Sequence, residues 1–98
     1  MNYNELARNI KNAHTAYMAA RAEADRLEDM LNDAIDAGET TDEIEMAWEA
    51  AVSEEVRYSD DVVAELQKLG ISYSVALQMV VNPKYSEKFA QLCARLQA

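Results

Sequence analysis

Residues 31–48 read LNDAIDAGETTDEIEMAW, and this stretch decides the fold. Gly38 is the residue type that most readily adopts the left-handed backbone with which many helices end. Thr40 followed by Glu43 matches a capping box, in which two side chains satisfy free backbone N–H groups at the start of the next helix. The connection is therefore short, and a short connection makes two long helices antiparallel neighbours. The pattern predicts a helical hairpin.

The first helix of the hairpin is predicted over about residues 3–37. Asn2 followed by Glu5 forms a capping box at its start, and no residue before Gly38 breaks the helix. Its apolar residues follow alternating steps of three and four through more than four heptads, which is typical of a coiled-coil seam. The seam includes small alanines that allow a partner helix to approach closely, and its members are Tyr3, Leu6, Ile10, Ala13, Tyr17, Ala20, Ala24, Leu27, Leu31 and Ala34.

The second helix is predicted over about residues 42–69. Gly70 ends it, and Ile71 just beyond the glycine is placed to contact Leu66 in a Schellman-type cap. Residues 59–61, which read Ser-Asp-Asp, interrupt the apolar stripe of this helix and resemble a helix start. The sequence therefore predicts a kink or a break in the second helix at that point.

Two short amphipathic helices are predicted after the hairpin, over about 74–81 and 84–96, with Pro83 as a first helical residue. With only two glycines and one proline, the chain is predicted to form one all-α domain over residues 1–98. The terminal helices follow the open end of the hairpin and should pack there. The base core expected from the hairpin consists of Leu6, Ile10, Tyr17, Met18, Val62 and Leu66.

The charge of the chain is unevenly distributed. The formal net charge is −9, and residues 27–56, called the acidic tip below, contain eleven carboxylates and no Lys or Arg. Solvated helices usually mix signs and pair Glu with Lys four residues later. Like charges in the acidic tip instead repel one another. These carboxylates are Glu28, Asp29, Asp33, Asp36, Glu39, Asp42, Glu43, Glu45, Glu49, Glu54 and Glu55.

The acidic tip also contains the only tryptophan of the chain, Trp48, with Met30 and Met46 nearby in the predicted hairpin. Trp and Met are common at protein interfaces, so Trp48 is predicted to be an apolar anchor. The alternative is that Trp48 belongs to the hairpin's own core, packed on Leu31 and Ile35. The partner-binding residues predicted from the sequence are Asp29, Asp33, Asp36, Glu39, Asp42, Glu43, Glu45, Trp48 and Glu49.

Residues that could support catalysis are few. His14 is the only histidine and is expected to be solvated or at the rim of the core, while the single Cys93 is expected to be a small core hydrophobe. The loop lacks the Asp-x-Asp-x-Asp-Gly order of a calcium site, and two distant glycines cannot make a phosphate cradle. We therefore predict no enzymatic activity, no metal and no cofactor.

The last third of the chain has the opposite sign, with Lys84, Lys88 and Arg95 against Glu87 from residue 70 onward. Its two helices could imitate a helix-turn-helix that contacts DNA through these cations. Phosphate neutralisation supplies most non-specific affinity for DNA, and the net charge has the wrong sign. Direct nucleic-acid binding is therefore not expected.

Taken together, these features predict a non-enzymatic, protein-binding module that occupies a basic surface of a nucleic-acid-handling protein. In general character the chain resembles the small acidic proteins that phages encode against restriction, CRISPR and recombination nucleases. The resemblance is one of type and carries over no site residues. The alternative is a structural or assembly subunit in which the seam of the first helix pairs between copies, giving a homodimer or a larger bundle.

A cytoplasmic location without membrane association is expected. No stretch approaches the roughly 18 apolar residues that a membrane span needs. The opening residues have neither the basic start nor the apolar segment of a signal peptide. A single cysteine also fits a reducing compartment.

Overall fold

The computed structural model describes residues 2–97, and these residues form helices and turns without a strand. The elements are α1 (Tyr3–Ala37), α2 (Asp42–Gln67), α3 (Tyr73–Val81), a short 3₁₀ turn (Pro83–Tyr85) and α4 (Ser86–Gln97). α1 and α2 form a long antiparallel hairpin, and the later helices pack against α1 and α2 near their open end. The molecule is a rod with extents of 54 × 21 × 21 Å. The predicted all-α hairpin is confirmed.

The seam of α1 packs against α2 within the same chain. Nine of its ten residues are buried or half-buried, and Tyr3 at the open end is the exception. At the start of α1 the side chain of Asn2 accepts a hydrogen bond from the backbone N–H of Glu5 at 3.0 Å. This bond is the predicted N-terminal cap, and it satisfies one of the backbone donors that a helix start leaves free.

The turn of the hairpin is a Schellman motif centred on Gly38, whose φ is 69°. The N–H of Glu39 donates to the carbonyl of Ala34 at 2.9 Å, and the N–H of Gly38 donates to the carbonyl of Ile35 at 3.1 Å. These two bonds satisfy carbonyls that the helix end would leave free. Gly38 therefore ends α1 as predicted.

The predicted capping box of Thr40 and Glu43 is wrong, because Thr41 is the N-cap of α2. The φ and ψ of Thr41 are −110° and −5°, already close to helical values, whereas a capping side chain usually needs an extended backbone. The hydroxyl of Thr41 donates instead to the carboxylate of Glu45 at 3.1 Å. The start of α2 thus lies where it was predicted, but the cap has a different geometry.

The predicted kink or break near Ser59 is also wrong, because α2 continues through it without interruption. Ser59 is buried, and its hydroxyl donates to the backbone carbonyl of Val56 at 2.8 Å. The bond satisfies the buried hydroxyl inside the helix, so a small polar residue fits where the stripe seemed broken. Asp60 and Asp61 point to solvent and place no constraint on the helix.

α2 ends at Gln67, two residues before the predicted end. Its last turn tightens, since the N–H groups of residues 68–70 each donate to the carbonyl three residues earlier. Gly70 then has a φ of 82°, and Ile71 packs against the cluster that contains Leu66. The glycine therefore reverses the chain as predicted, after a 3₁₀-type end in place of a Schellman cap.

The C-terminal helices lie close to their predicted positions. Ser72 caps α3 by accepting from the N–H of Val75 at 3.4 Å, so α3 begins one residue earlier than predicted. Asn82 accepts from the N–H of Lys84 at 3.0 Å, and Pro83 is the first residue of the 3₁₀ turn that precedes α4. Their docking forms the base core, whose buried members are Leu6, Ile10, Tyr17, Val62, Val63, Leu66, Ala76, Val80 and Phe89.

Met18 does not belong to this base core, contrary to the prediction. Its side chain is 47% exposed, because one residue of helix turns it about 100° away from Tyr17, which faces α2. A second and smaller cluster, called the arm core, lies further toward the tip and consists of Ala24, Leu27 and Ala51. The acidic tip is therefore held by far less buried apolar surface than the base.

Candidate functional site

The carboxylates of the acidic tip are almost all exposed. Only Glu55 of the eleven is half-buried, and the other ten project into solvent. The structure therefore presents every acidic residue predicted for partner binding on the surface of one end of the rod. These exposed residues are Asp29, Asp33, Asp36, Glu39, Asp42, Glu43, Glu45 and Glu49.

The cations of the chain do not neutralise this surface. Within residues 2–97, the salt bridges join Glu23 to Arg26 at 2.6 Å, Glu54 to Arg57 at 3.2 Å and Glu65 to Lys68 at 3.0 Å. The hydrogen bond from Arg26 lowers the pKa of Glu23, which lies outside the acidic tip. Glu54, at the edge of the tip, is thus the one tip carboxylate that takes part in an ion pair within the described chain.

The two helices of the tip differ in how they tolerate the charge. Asp42, Glu43 and Glu45 lie in the first turn of α2, where the partial positive charge of a helix N-terminus favours carboxylates. Asp33 and Asp36 lie near the C-terminal end of α1, where the partial charge is negative and where the last turn contains no basic residue. The helix dipole therefore favours Asp42, Glu43 and Glu45 in the first turn of α2 but disfavours Asp33 and Asp36 in α1.

Trp48 is half-buried and packs against the arm core of Ala24, Leu27 and Ala51. Ile35, which follows the seam residue Ala34 by one position, is 57% exposed. Trp48 thus contributes to the arm's own core and leaves part of its side chain accessible. The sequence indicated the exposure of Ile35, because this residue does not belong to the seam defined by alternating steps of three and four residues.

Exposed apolar side chains are interspersed among the carboxylates. Met46 is 72% exposed and Met30 is 42% exposed, so both thioethers reach solvent as Ile35 does. Each of these side chains could bury apolar area against a partner. The acidic tip therefore combines negative charge with a few accessible apolar groups.

His14 and Cys93 border the same hollow of about 450 Å³ between α1 and α4. His14 is half-buried with its ring centroid 4.4 Å from that of Phe89, and Cys93 packs against the base core, so both lie where they were predicted. Burial lowers the pKa of His14 and raises the pKa of Cys93. An activated cysteine needs the reverse, a thiolate beside an imidazolium, so this geometry provides no prepared nucleophile.

Within residues 2–97 no group of three or more His, Cys, Asp or Glu side chains is placed to hold a metal ion. Lys84 and Lys88 both lie near the ring of Tyr85, with ammonium-to-centroid distances of 6.0 and 5.5 Å. No helix in the described range combines the length and apolar character needed to cross a membrane.

Comparison of the chain with protein-family models, with curated proteins and with solved structures finds no match. The chemistry of the acidic tip therefore carries the functional proposal. Its distinguishing features are the exposure of the carboxylates, an ion pair for only one of the eleven within residues 2–97, and the position of Asp33 and Asp36 at an unfavourable helix end.

Proposed function

We propose that this protein is a non-enzymatic binding module whose acidic tip occupies a basic surface of a nucleic-acid-handling protein and inhibits or modulates it. The observation that carries the proposal is the pair Asp33 and Asp36, exposed and unpaired at the negative end of α1. A cytoplasmic location is part of the proposal. The single Cys93 is compatible with a reducing compartment, since the sequence has no second cysteine for an internal disulfide.

The acidic tip resembles a charged rod in its geometry. Residues three and four apart on a helix have their Cβ atoms about 5–6 Å apart, so each helix presents its carboxylates as a regular row. A groove lined with Lys and Arg to bind phosphates has a complementary potential, which raises the rate of encounter and suppresses other partners. The tip thereby acts as a mimic of the nucleic-acid backbone.

The apolar groups of the tip give this contact its stability. Met30, Ile35 and Met46 are 42%, 57% and 72% exposed, so each has apolar surface left to bury against a partner. Within the chain, Arg26 donates a hydrogen bond to the sulfur of Met30 at 3.2 Å. Trp48, half-buried against the arm core, adds an aromatic edge. Interfaces usually combine a desolvated apolar centre with a charged rim, and the tip carries both components.

The test is capture of the partner by the full chain from the lysate of its host, followed by titration of the captured protein after purification. We expect affinity to fall by about tenfold or more between roughly 0.05 and 0.5 M salt, since screening weakens exposed charge contacts. A nucleic-acid duplex should displace the protein from its partner. Binding that is insensitive to salt would contradict the proposal.

Two variants with matched substitutions locate the binding charge. The tip variant combines Asp33→Asn, Asp36→Asn, Asp42→Asn and Glu45→Gln. The control variant replaces carboxylates outside the tip, with Asp25→Asn, Asp60→Asn, Asp61→Asn and Glu87→Gln, so both lose four negative charges. We expect the tip variant to lose the partner and the control to keep it. Equal weakening in both would show that only net charge matters and would reject the tip as the site.

The alternative, a structural subunit assembled through the seam of α1, has less support. The seam packs against α2 in the same chain, so a homodimer would need a different surface. Sedimentation of the full chain at micromolar concentration distinguishes the two proposals. A dimer that persists in high salt and in the tip variant would favour assembly over partner binding.

A further inference from the structure

A hollow of about 410 Å³ lies at the base of the hairpin, away from the acidic tip. Four elements border it, and its apolar walls come from Met18 of α1, Met79 and Val80 of α3, Pro83 of the 3₁₀ turn and Phe89 of α4. Small-molecule sites typically have volumes of about 300–1,000 Å³ and mostly apolar linings with a few convergent polar groups. The size and lining of this hollow therefore suit a small molecule.

Arg21 supplies the one formal positive charge of the lining. It is half-buried, and in the described chain it forms no salt bridge, although the sequence holds 18 acidic residues against nine Lys and Arg. Asp25 and Glu55 border a neighbouring hollow together with Arg21, but neither lies within ion-pair distance of it. A guanidinium in this position is available to an anion from outside the chain.

His14 and Ser86 complete the polar part of the lining. The imidazole lies against the Phe89 ring with a centroid distance of 4.4 Å and an interplanar angle of 36°. The pair forms a wall of two rings that also borders the second hollow of about 450 Å³. The two hollows are therefore adjacent, and His14, Ser86 and Phe89 border both.

We propose that this cavity binds a small organic anion with an apolar body, namely an alkyl or aryl carboxylate. The carboxylate would pair with Arg21 and accept a hydrogen bond from the Ser86 hydroxyl. The planar guanidinium donates two parallel hydrogen bonds to a carboxylate, which gives the site its preference for an anion. The apolar body would displace water from Met18, Met79 and Phe89.

The probe for this site is decanoate, below the concentration at which it forms micelles, added to the full chain labelled with ¹³C at the methionine methyls. Of the methionines in residues 2–97, Met18 and Met79 line the cavity, while Met30 and Met46 lie in the acidic tip. We expect saturable shifts of the Met18 and Met79 methyl signals and none for the tip methionines. Decanol and decylammonium, which share the apolar chain, should bind at least about tenfold more weakly because they lack the anion.

Three variants separate the contributions. Arg21→Gln should weaken decanoate about tenfold, whereas the control Arg8→Gln, an exposed cation on the same helix, should leave it unchanged. Met18→Glu puts a carboxylate at the half-exposed edge of the cavity and should reverse the order of decanoate and decylammonium. Asp25→Asn removes a nearby negative charge and should tighten decanoate about twofold.

Several results would overturn the proposal. Equal binding of decanoate and decanol, or an unchanged affinity in Arg21→Gln, would show that the cavity does not recognise an anion. Shifts that spread equally to Met30 and Met46 would indicate non-specific adsorption. Shifts of Met18 and Met79 that depend on protein concentration without any ligand would show that a second copy of the chain occupies the cavity.

Discussion

At the scale of single residues, His14 couples the base of the hairpin to pH. Burial beside Phe89 lowers its pKa from the ordinary value of 6.5, so the folded state favours the neutral ring. The unfolded chain therefore binds the proton at a higher pH than the folded chain does. As pH falls below about 6.5, protonation of the unfolded state lowers the free energy of unfolding, and the loss ends below the folded pKa.

The prediction is that the urea midpoint decreases between pH 7.5 and pH 5.5, and that His14→Gln reduces this decrease. The other charged or titratable groups that border the same two hollows are Lys11, Arg21 and Cys93, and all three are present in both proteins. Carboxylates contribute equally to the pH dependence of the original protein and of His14→Gln. The difference between the two pH slopes therefore measures the contribution of the histidine. An identical pH slope in the variant would assign the effect to other groups.

Residue-level predictions from the sequence succeeded where local backbone geometry decides the outcome. Gly38 and Asn2 cap α1 as expected, because a left-handed glycine and an N-terminal asparagine depend on their immediate neighbours alone. Ser59 was misread as a helix start, since only the packed structure shows its hydroxyl bonded to Val56 in a buried position. Met18 was misplaced because it follows the seam residue Tyr17 by one position, which turns its side chain about 100° away from α2.

At the scale of helices, the two sides of the acidic tip should respond oppositely to loss of charge. Asp33→Asn with Asp36→Asn removes carboxylates from the negative end of α1. The change removes an unfavourable interaction with the helix dipole and also reduces like-charge repulsion, so both effects stabilise the folded state. Asp42→Asn with Glu45→Gln removes carboxylates from the positive end of α2, and the lost dipole interaction offsets the relief of repulsion. We expect the first pair to be more stable than the second by about 1 kcal/mol.

Thermal unfolding at low ionic strength measures this difference, and the two variants are matched in net charge. Adding about 0.5 M salt should shrink the gap, because screening weakens exposed electrostatic contacts. If the two variants unfold at the same temperature at low salt, the assignment of Asp33 and Asp36 as a cost to the fold is wrong.

The existence and approximate bounds of the helices followed from the apolar periodicity, but their exact first and last residues could be determined only from the structure. The seam predicted α1 over its full length, because a regular three-four spacing has few alternatives. The end of α2 was placed two residues too late, since the tightened last turn has no distinctive sequence pattern. One alternative assigned Trp48 to the hairpin's own core, and it packs there against Ala24, Leu27 and Ala51, which the sequence did not single out as its partners.

At the scale of the whole molecule, negative charge is concentrated at one end of a 54 Å rod and buried apolar surface at the other. The base core has nine buried residues, whereas the arm core has three. The acidic tip, which the arm core supports, carries eleven of the 18 acidic residues. The tip is therefore predicted to open locally at a lower free energy than the base. A tip with low local stability can adjust to a partner surface while the base remains folded.

Hydrogen exchange on two core variants tests this division. Leu27→Ala removes a 7% exposed side chain of the arm core, and we expect faster amide exchange over the tip with little change in α3 and α4. Leu66→Ala empties a fully buried position of the base core and should cost about 3 kcal/mol, raising exchange throughout the rod. If Leu27→Ala accelerated exchange equally in tip and base, the hairpin would unfold as one cooperative unit. The tip would then have to meet its partner as a rigid rod, and its affinity would depend on shape and charge already present in the free protein.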